Sequence, residues 1–153
     1  MNAVDILNRC RDAIGEIKRL EARKARLLEC ATNATSRLNP TGGSRSGMTD
    51  KVSGFAADID ECDRALSARR RAYDVELRAA CRLVDMLPEP ECGVLYRYYV
   101  QGQTVGGIVS ALNYSPSYVK QTKRSGLRAA EAIPREAVAA LLPDWYRREY
   151  GED

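Results

Sequence analysis

Apolar residues recur at three- and four-residue spacing along two long stretches of the chain. The first stripe runs through Val4, Leu7, Cys10, Ile14, Ile17, Leu20, Leu27, Leu28, Ala31 and Leu38. The second runs through Val52, Phe55, Ile59, Cys62, Leu66, Tyr73, Leu77, Ala80, Val84 and Leu87. This spacing lines up one face of a helix, so each stretch predicts a long amphipathic helix. Between them, Asn39 to Gly47 holds one proline, three glycines and two serines, a composition that predicts a surface connection and no continuing helix. Two arms of similar length around one loop predict an antiparallel, coiled-coil-like hairpin over residues 1–87, with a Gly/Ser-rich tip at 39–50. A single register then sets Val4 against Leu87, Leu7 against Val84, Cys10 against Cys81 and Ile14 against Leu77, and brings Cys30 near Cys62. The competing arrangement is a coiled coil between chains, each long helix pairing with a second copy.

Three shorter helical patterns follow within residues 88–133. Val94, Leu95, Tyr98 and Tyr99 form one stripe, which stops at Gln101 and Gly102, where glycine supplies a left-handed end. Thr104 stands at an N-cap position before Val105, Ile108, Val109 and Leu112. Ser115 and Pro116 then give a second cap with proline at the first helical position. After them Val119, Thr122, Gly126 and Leu127 mark an inward face, opposite Ser117, Lys120, Gln121 and Arg124. Glycines at 106 and 107 weaken the Thr104 helix intrinsically, by about 0.8–1 kcal/mol each relative to alanine. Either the pair allows close approach of another backbone or the helix is ordered mainly by packing, and close packing is the expectation. Residues 134–153 predict a short helix, Glu136 to Leu142, bracketed by Pro134 and Pro143, and then an aromatic tail. The fold class is all-α.

Charge singles out the middle of these regions. From Cys92 to Ala130 there is no acidic side chain, while Arg97, Lys120, Lys123, Arg124 and Arg128 are basic and five of the eight tyrosines fall there. The net charge of the whole chain is only +3, so the positive character is local. Such a block suits a polyanion, because each neutralised phosphate releases condensed counterions. Two short helices joined by a tight turn, the second opening with small and polar residues, form the pattern of a helix-turn-helix. Lys or Arg on that second helix can reach guanine O6 and N7, and Gln can pair with adenine.

From Leu87 to Leu127 the residues Leu95 to Tyr98, Gly102 to Thr104, Ile108, Leu112, Ser115, Val119 to Gln121 and Leu127 resemble region 4 of the bacterial sigma factors, which reads the promoter −35 element. The resemblance implies base contacts from positions 116, 117, 120 and 121, where Pro116 and Ser117 replace the usual arginine and glutamate. Nothing before Leu87 resembles the domain that melts the −10 element, so the chain does not look like a self-sufficient sigma factor. A helical hairpin, a Gly/Ser-rich tip and a sigma-like helix-turn-helix together are similar to a group of small phage and prophage proteins, some of them late-gene transcription regulators.

Other chemistries find little footing. The chain has no histidine, and no glycine-rich phosphate loop of either common spacing occurs. No enzyme and no cofactor is expected. The cysteines at 10, 30, 62, 81 and 92 form no CxxC pair, so no metal site is expected. The default is buried thiols acting as small hydrophobes, and the hairpin register makes Cys10 with Cys81 and Cys30 with Cys62 candidate redox pairs. No apolar run approaches a membrane span and no signal-peptide core opens the chain, which points to the cytoplasm of a bacterial host cell.

The resulting expectation is a sequence-specific, double-stranded DNA-binding transcription regulator, phage-encoded, with recognition helix 116–130 in the major groove. Ser117, Lys120 and Gln121 would read bases, while Lys123, Arg124 and Arg128 would hold phosphates. The hairpin would mediate oligomerisation, with a dimer the first expectation, or partner contact. Trp145, Tyr146 and Arg147 are candidate partner contacts, host RNA polymerase among them, unless the aromatics dock on their own domain. Two alternatives stand beside this: a DNA-packaging subunit of the small terminase type, and a sigma-like adaptor that binds polymerase or another regulator without reading DNA.

Overall fold

The computed structural model describes residues 1–36 and 45–151, and among them every regular element is helical. Helix α1 spans Ala3–Ser36 and α2 spans Arg45–Asp85. Shorter helices follow: α3 (Glu91–Leu95), α4 (Val105–Leu112), α5 (Pro116–Glu131), α6 (Arg135–Ala139) and α7 (Asp144–Tyr150). Among the described residues no helix is long and apolar enough to cross a membrane.

α1 begins on a reciprocal cap. The Asp5 amide donates to Asn2 Oδ1 at 2.9 Å, and the Asn2 amide donates to Asp5 Oδ2 at 2.7 Å. Two otherwise orphaned donors are thereby satisfied. α2 starts at Arg45, inside the segment expected as a connection, so residues 45–50 of the expected tip are helical. A glycine at 47 costs a helix only about 1 kcal/mol, which neighbouring turns can offset. The rest of that tip lies outside the described residues.

The chain divides into two compact units, one made of Met1–Ile14 with Arg71–Asp153 and the other of Gly15–Arg70. In the first, Ile6, Leu7 and Cys10 of α1 and Ala79, Ala80, Leu83 and Val84 of α2 share a core with Leu95, Tyr99 and Val100. Ala130, Val138, Leu142 and Tyr146 complete it from the C-terminal helices. Tyr146 is fully buried, and its hydroxyl donates to the equally buried Glu76 carboxylate at 2.6 Å. This corrects the candidacy of Tyr146 as a partner contact: the aromatic tail docks on the body of its own unit through α7, a helix the sequence pattern did not predict. Trp145 is half-buried beneath the Arg71 guanidinium, 3.9 Å from its ring centroid, and Arg147 is exposed and ion-paired with Asp144.

In the Gly15–Arg70 unit the described residues bury little. Cys62 and Leu66 are its buried apolar side chains, while Ile17, Leu20, Leu27, Phe55 and Ile59 are half-buried and Leu28 is exposed. Ion pairs join α1 to α2 here: Glu16 with Arg69, Glu21 with Arg70 at 2.7 Å, and Lys24 with Asp63 at 2.5 Å.

None of the five cysteines is in a disulfide: Cys10 and Cys62 are buried, Cys81 and Cys92 half-buried and Cys30 exposed. Burial first, then the nearby Asp85 carboxylate, pushes the Cys81 thiol up, and burial with Glu89 does the same at Cys92. Both therefore carry less of the reactive thiolate than an ordinary cysteine.

Candidate nucleic-acid interface

Helices α3, α4 and α5 close around a second, smaller core of Val94, Ile108 and Val119, flanked by Tyr98, Val105, Val109 and Leu112. α3 continues into a wider turn over Tyr96–Val100, in which the Gln101 amide donates to the Tyr96 carbonyl at 3.0 Å across five residues. The extra residue brings Tyr99 and Val100 to the inner side with Val94 and Leu95. Gly102 then takes φ +69°, the left-handed end that the sequence pattern predicts there, and a Cβ on it would lie 3.1 Å from Ile14 Cδ1.

Arg11 of α1 holds this turn from the side. Its Nη1 donates to the Tyr98 carbonyl and, at 2.9 Å, to the Gln103 carbonyl, and its guanidinium carbon lies 3.8 Å from the Tyr98 ring centroid. Lys123 Nζ lies 3.8 Å from the same centroid. Tyr98 thus carries two cations against its ring, an arrangement favoured by the quadrupole of the π face. The placement revises the expected role of Lys123. It is half-buried and engaged inside the module, because one step round the helix from the exposed face brings it to the flank that meets α3.

Thr104 caps α4, its hydroxyl accepting the Gly107 amide at 3.1 Å, and Asn113 ends the helix at φ 54°. Ser115 caps α5 by accepting the Tyr118 amide at 3.2 Å, with Pro116 at the first turn. Both caps stand where the sequence places them, and they fix the turn between the two helices. Val119, Thr122, Gly126 and Ala130 face inward. Gly126 has a packing reason: a Cβ there would meet Leu95 Cδ1 at 2.9 Å and Glu91 Cβ at 3.2 Å, so α5 crosses α3 at glycine distance. Ser125 ties the crossing by donating to Glu91 Oε1 at 3.0 Å.

Gly106 and Gly107 do not repeat that logic. A Cβ at Gly106 would meet only Thr104 Oγ1 at 3.9 Å, and one at Gly107 the same atom at 3.4 Å. Both glycines are exposed and, among the described residues, no other helix comes within 4 Å of a Cβ built there, which corrects the expectation of close packing.

The solvent side of α5 carries Ser117, Lys120, Gln121, Arg124 and Arg128, all exposed. The structure therefore brings together every expected base-reading residue, and all the expected phosphate contacts except Lys123, on one helical face. Sequence reasoning missed Arg11, whose partners lie 87 and 92 residues away, and Tyr114 and Tyr118, which stand exposed beside that face. Among the described residues no group of three or more acidic, cysteine or histidine side chains could hold a metal ion. Comparison of the chain with protein-family models, with curated proteins and with solved structures yields no match.

Proposed function

We propose that this chain is a sequence-specific double-stranded DNA-binding transcription regulator, acting in a bacterial host cell, in which α4 and α5 form a helix-turn-helix. The observation that carries the reading is the exposed face of α5. Lys120 and Gln121 stand there with Ser117, Arg124 and Arg128, in a stretch with no acidic residue between Glu91 and Glu131. Such a face places a bidentate partner for adenine and a cation for guanine along one groove wall, with two arginines able to reach phosphate. The caps at Thr104 and Ser115 support the supporting-helix and recognition-helix roles. α1 and α2 act as an antiparallel hairpin for dimerisation or for contact with a partner such as host RNA polymerase. The order of the ion pairs, Glu16 with Arg69 and Lys24 with Asp63, supports that antiparallel pairing.

Selection from a random-sequence duplex library at two salt concentrations tests the reading. The expected result is an enriched motif whose binding falls steeply with salt, and a Lys120→Ala/Gln121→Ala double variant that loses the motif preference. A motif bound unchanged by that variant would sink the recognition-helix assignment. Salt-sensitive binding without a motif would favour a packaging role.

A further inference from the structure

Tyr114 and Tyr118 are exposed, at 37% and 41%, with ring centroids 4.8 Å apart in an edge-to-face pair. Neither belongs to the cores that organise the rest of the unit. The pair brackets the Ser115 cap, whose hydroxyl accepts the Tyr118 amide, so both rings are held at the N-terminal end of α5 where Ser117, Lys120 and Gln121 stand. Tyr118 lies one helical turn before Gln121 on adjoining sides of α5. An aromatic shelf within a basic stretch that lacks any carboxylate fits a polyanion that also presents an apolar group. On the major-groove wall of a duplex that group is the thymine C5-methyl. Rigid tyrosines make such contacts at low conformational cost, having few rotatable bonds to fix.

We propose that the Tyr114–Tyr118 pair contacts a thymine methyl, supplying base discrimination at the end of α5 where Pro116 has no donor to offer. The inference rests on α5 lying in the major groove. It assigns the pair to an A·T-containing step in which Gln121 takes an adenine and the tyrosine rings cover the methyl of a thymine in the same or the neighbouring pair. The aromatic carbons carry the contact, so the hydroxyls are dispensable.

The test uses the full chain and its selected duplex, with each thymine replaced in turn by deoxyuridine, which removes only the methyl. At one position wild-type binding should weaken about fourfold, the factor for one buried methyl group. Tyr118→Phe should keep that discrimination. The Tyr114→Ala/Tyr118→Ala variant should bind the thymine and uracil duplexes equally. If wild-type protein binds every uracil duplex as tightly as the parent, the inference falls while DNA binding stands, a result that needs no variant to fold. A Tyr118→Phe variant as defective as the double alanine variant would also overturn it, assigning the contact to the hydroxyl. Absence of any DNA binding would overturn this inference and the proposed function together.

Discussion

In the unit built from Met1–Ile14 and Arg71–Asp153, helices meet through side chains removed from water, whereas in Gly15–Arg70 the described residues bury only Cys62 and Leu66 and the helices are joined by partly exposed ion pairs. Burial of apolar surface is worth about 25 cal/mol per Å², while exposed ion pairs contribute about 0–1 kcal/mol each. The same two sequence stripes run through both units. What differs is what covers them: in the first, residues from α3 to α7 close over the stripes, and in the second, among the described residues, α1 and α2 face each other. A helical period therefore specifies a face, and the stability of that face depends on what the chain supplies to cover it.

The largest effect should come from the centre of the well-covered unit. Tyr146→Ala empties a fully buried aromatic site and removes the phenol hydrogen bond to Glu76, and should cost about 3–5 kcal/mol in urea unfolding. An unchanged midpoint would break the contrast between the units. The same residue gives a pH test. Burial first, then the hydrogen bond to Glu76, raises the Tyr146 phenol above its ordinary 10.0. The neutral form is thus favoured in the fold, so the associated stability is complete below pH 10.0 and is lost as pH rises through the higher folded value. Tyr73 and Tyr99 are raised by burial in the same sense. Tyr146→Phe should accordingly unfold with a shallower loss above pH 10.0, leaving the slope due to the other two. A slope unchanged from wild type would remove Tyr146 from this account.

Two glycines sharpen the comparison inside the module formed by α3, α4 and α5, because the same substitution should act with opposite sign. Gly126→Ala drives a methyl into Leu95 and Glu91 at the α3–α5 crossing and should destabilise by about 1–3 kcal/mol. Gly106→Ala meets nothing closer than 3.9 Å and should stabilise α4 by about 0.8–1 kcal/mol. Thermal melting of the two variants decides it. Two shifts of the same sign would mean that one of these environments differs from the geometry given above.

Legibility followed the range of each interaction. Thr104 and Ser115 accept amides three residues away and Pro116 and Gly102 act through their own backbone angles, so their roles are readable directly, and the apolar spacing marks Val119, Thr122 and Gly126 as inward. The reciprocal Asn2–Asp5 cap is equally local but departs from the Ser/Thr-to-Glu/Gln form of the capping box. α7 depends on Tyr146 finding Glu76, 70 residues earlier, which no local pattern encodes. Composition groups Lys123 with the outward cations because it reports charge but not the side of the helix. Only the position of Tyr98 shows that its ammonium has a ring to cover. The helical start at Arg45 shows the converse limit, since glycine and serine content is a weak prior against the turns that follow.

The smallest expected effect bears most directly on the thinly covered unit. Asp63→Asn removes the partner of Lys24, whose side chains are 48% and 35% exposed respectively, and should cost about 0.2–1 kcal/mol, less at high salt. Its measure is amide exchange between Gly15 and Arg70, followed at two protein concentrations. If the ion pairs were the main support of this unit, exchange there would accelerate far more than that figure allows. If protection is nearly unchanged by the substitution but rises with protein concentration, the half-buried Ile17, Leu20, Leu27, Phe55 and Ile59 stripe is being covered by a second copy, as the proposed dimerising role of the hairpin requires. Protection indifferent to both would assign the unit's stability to the contacts of its own two helices and leave no support for the proposed dimerising role.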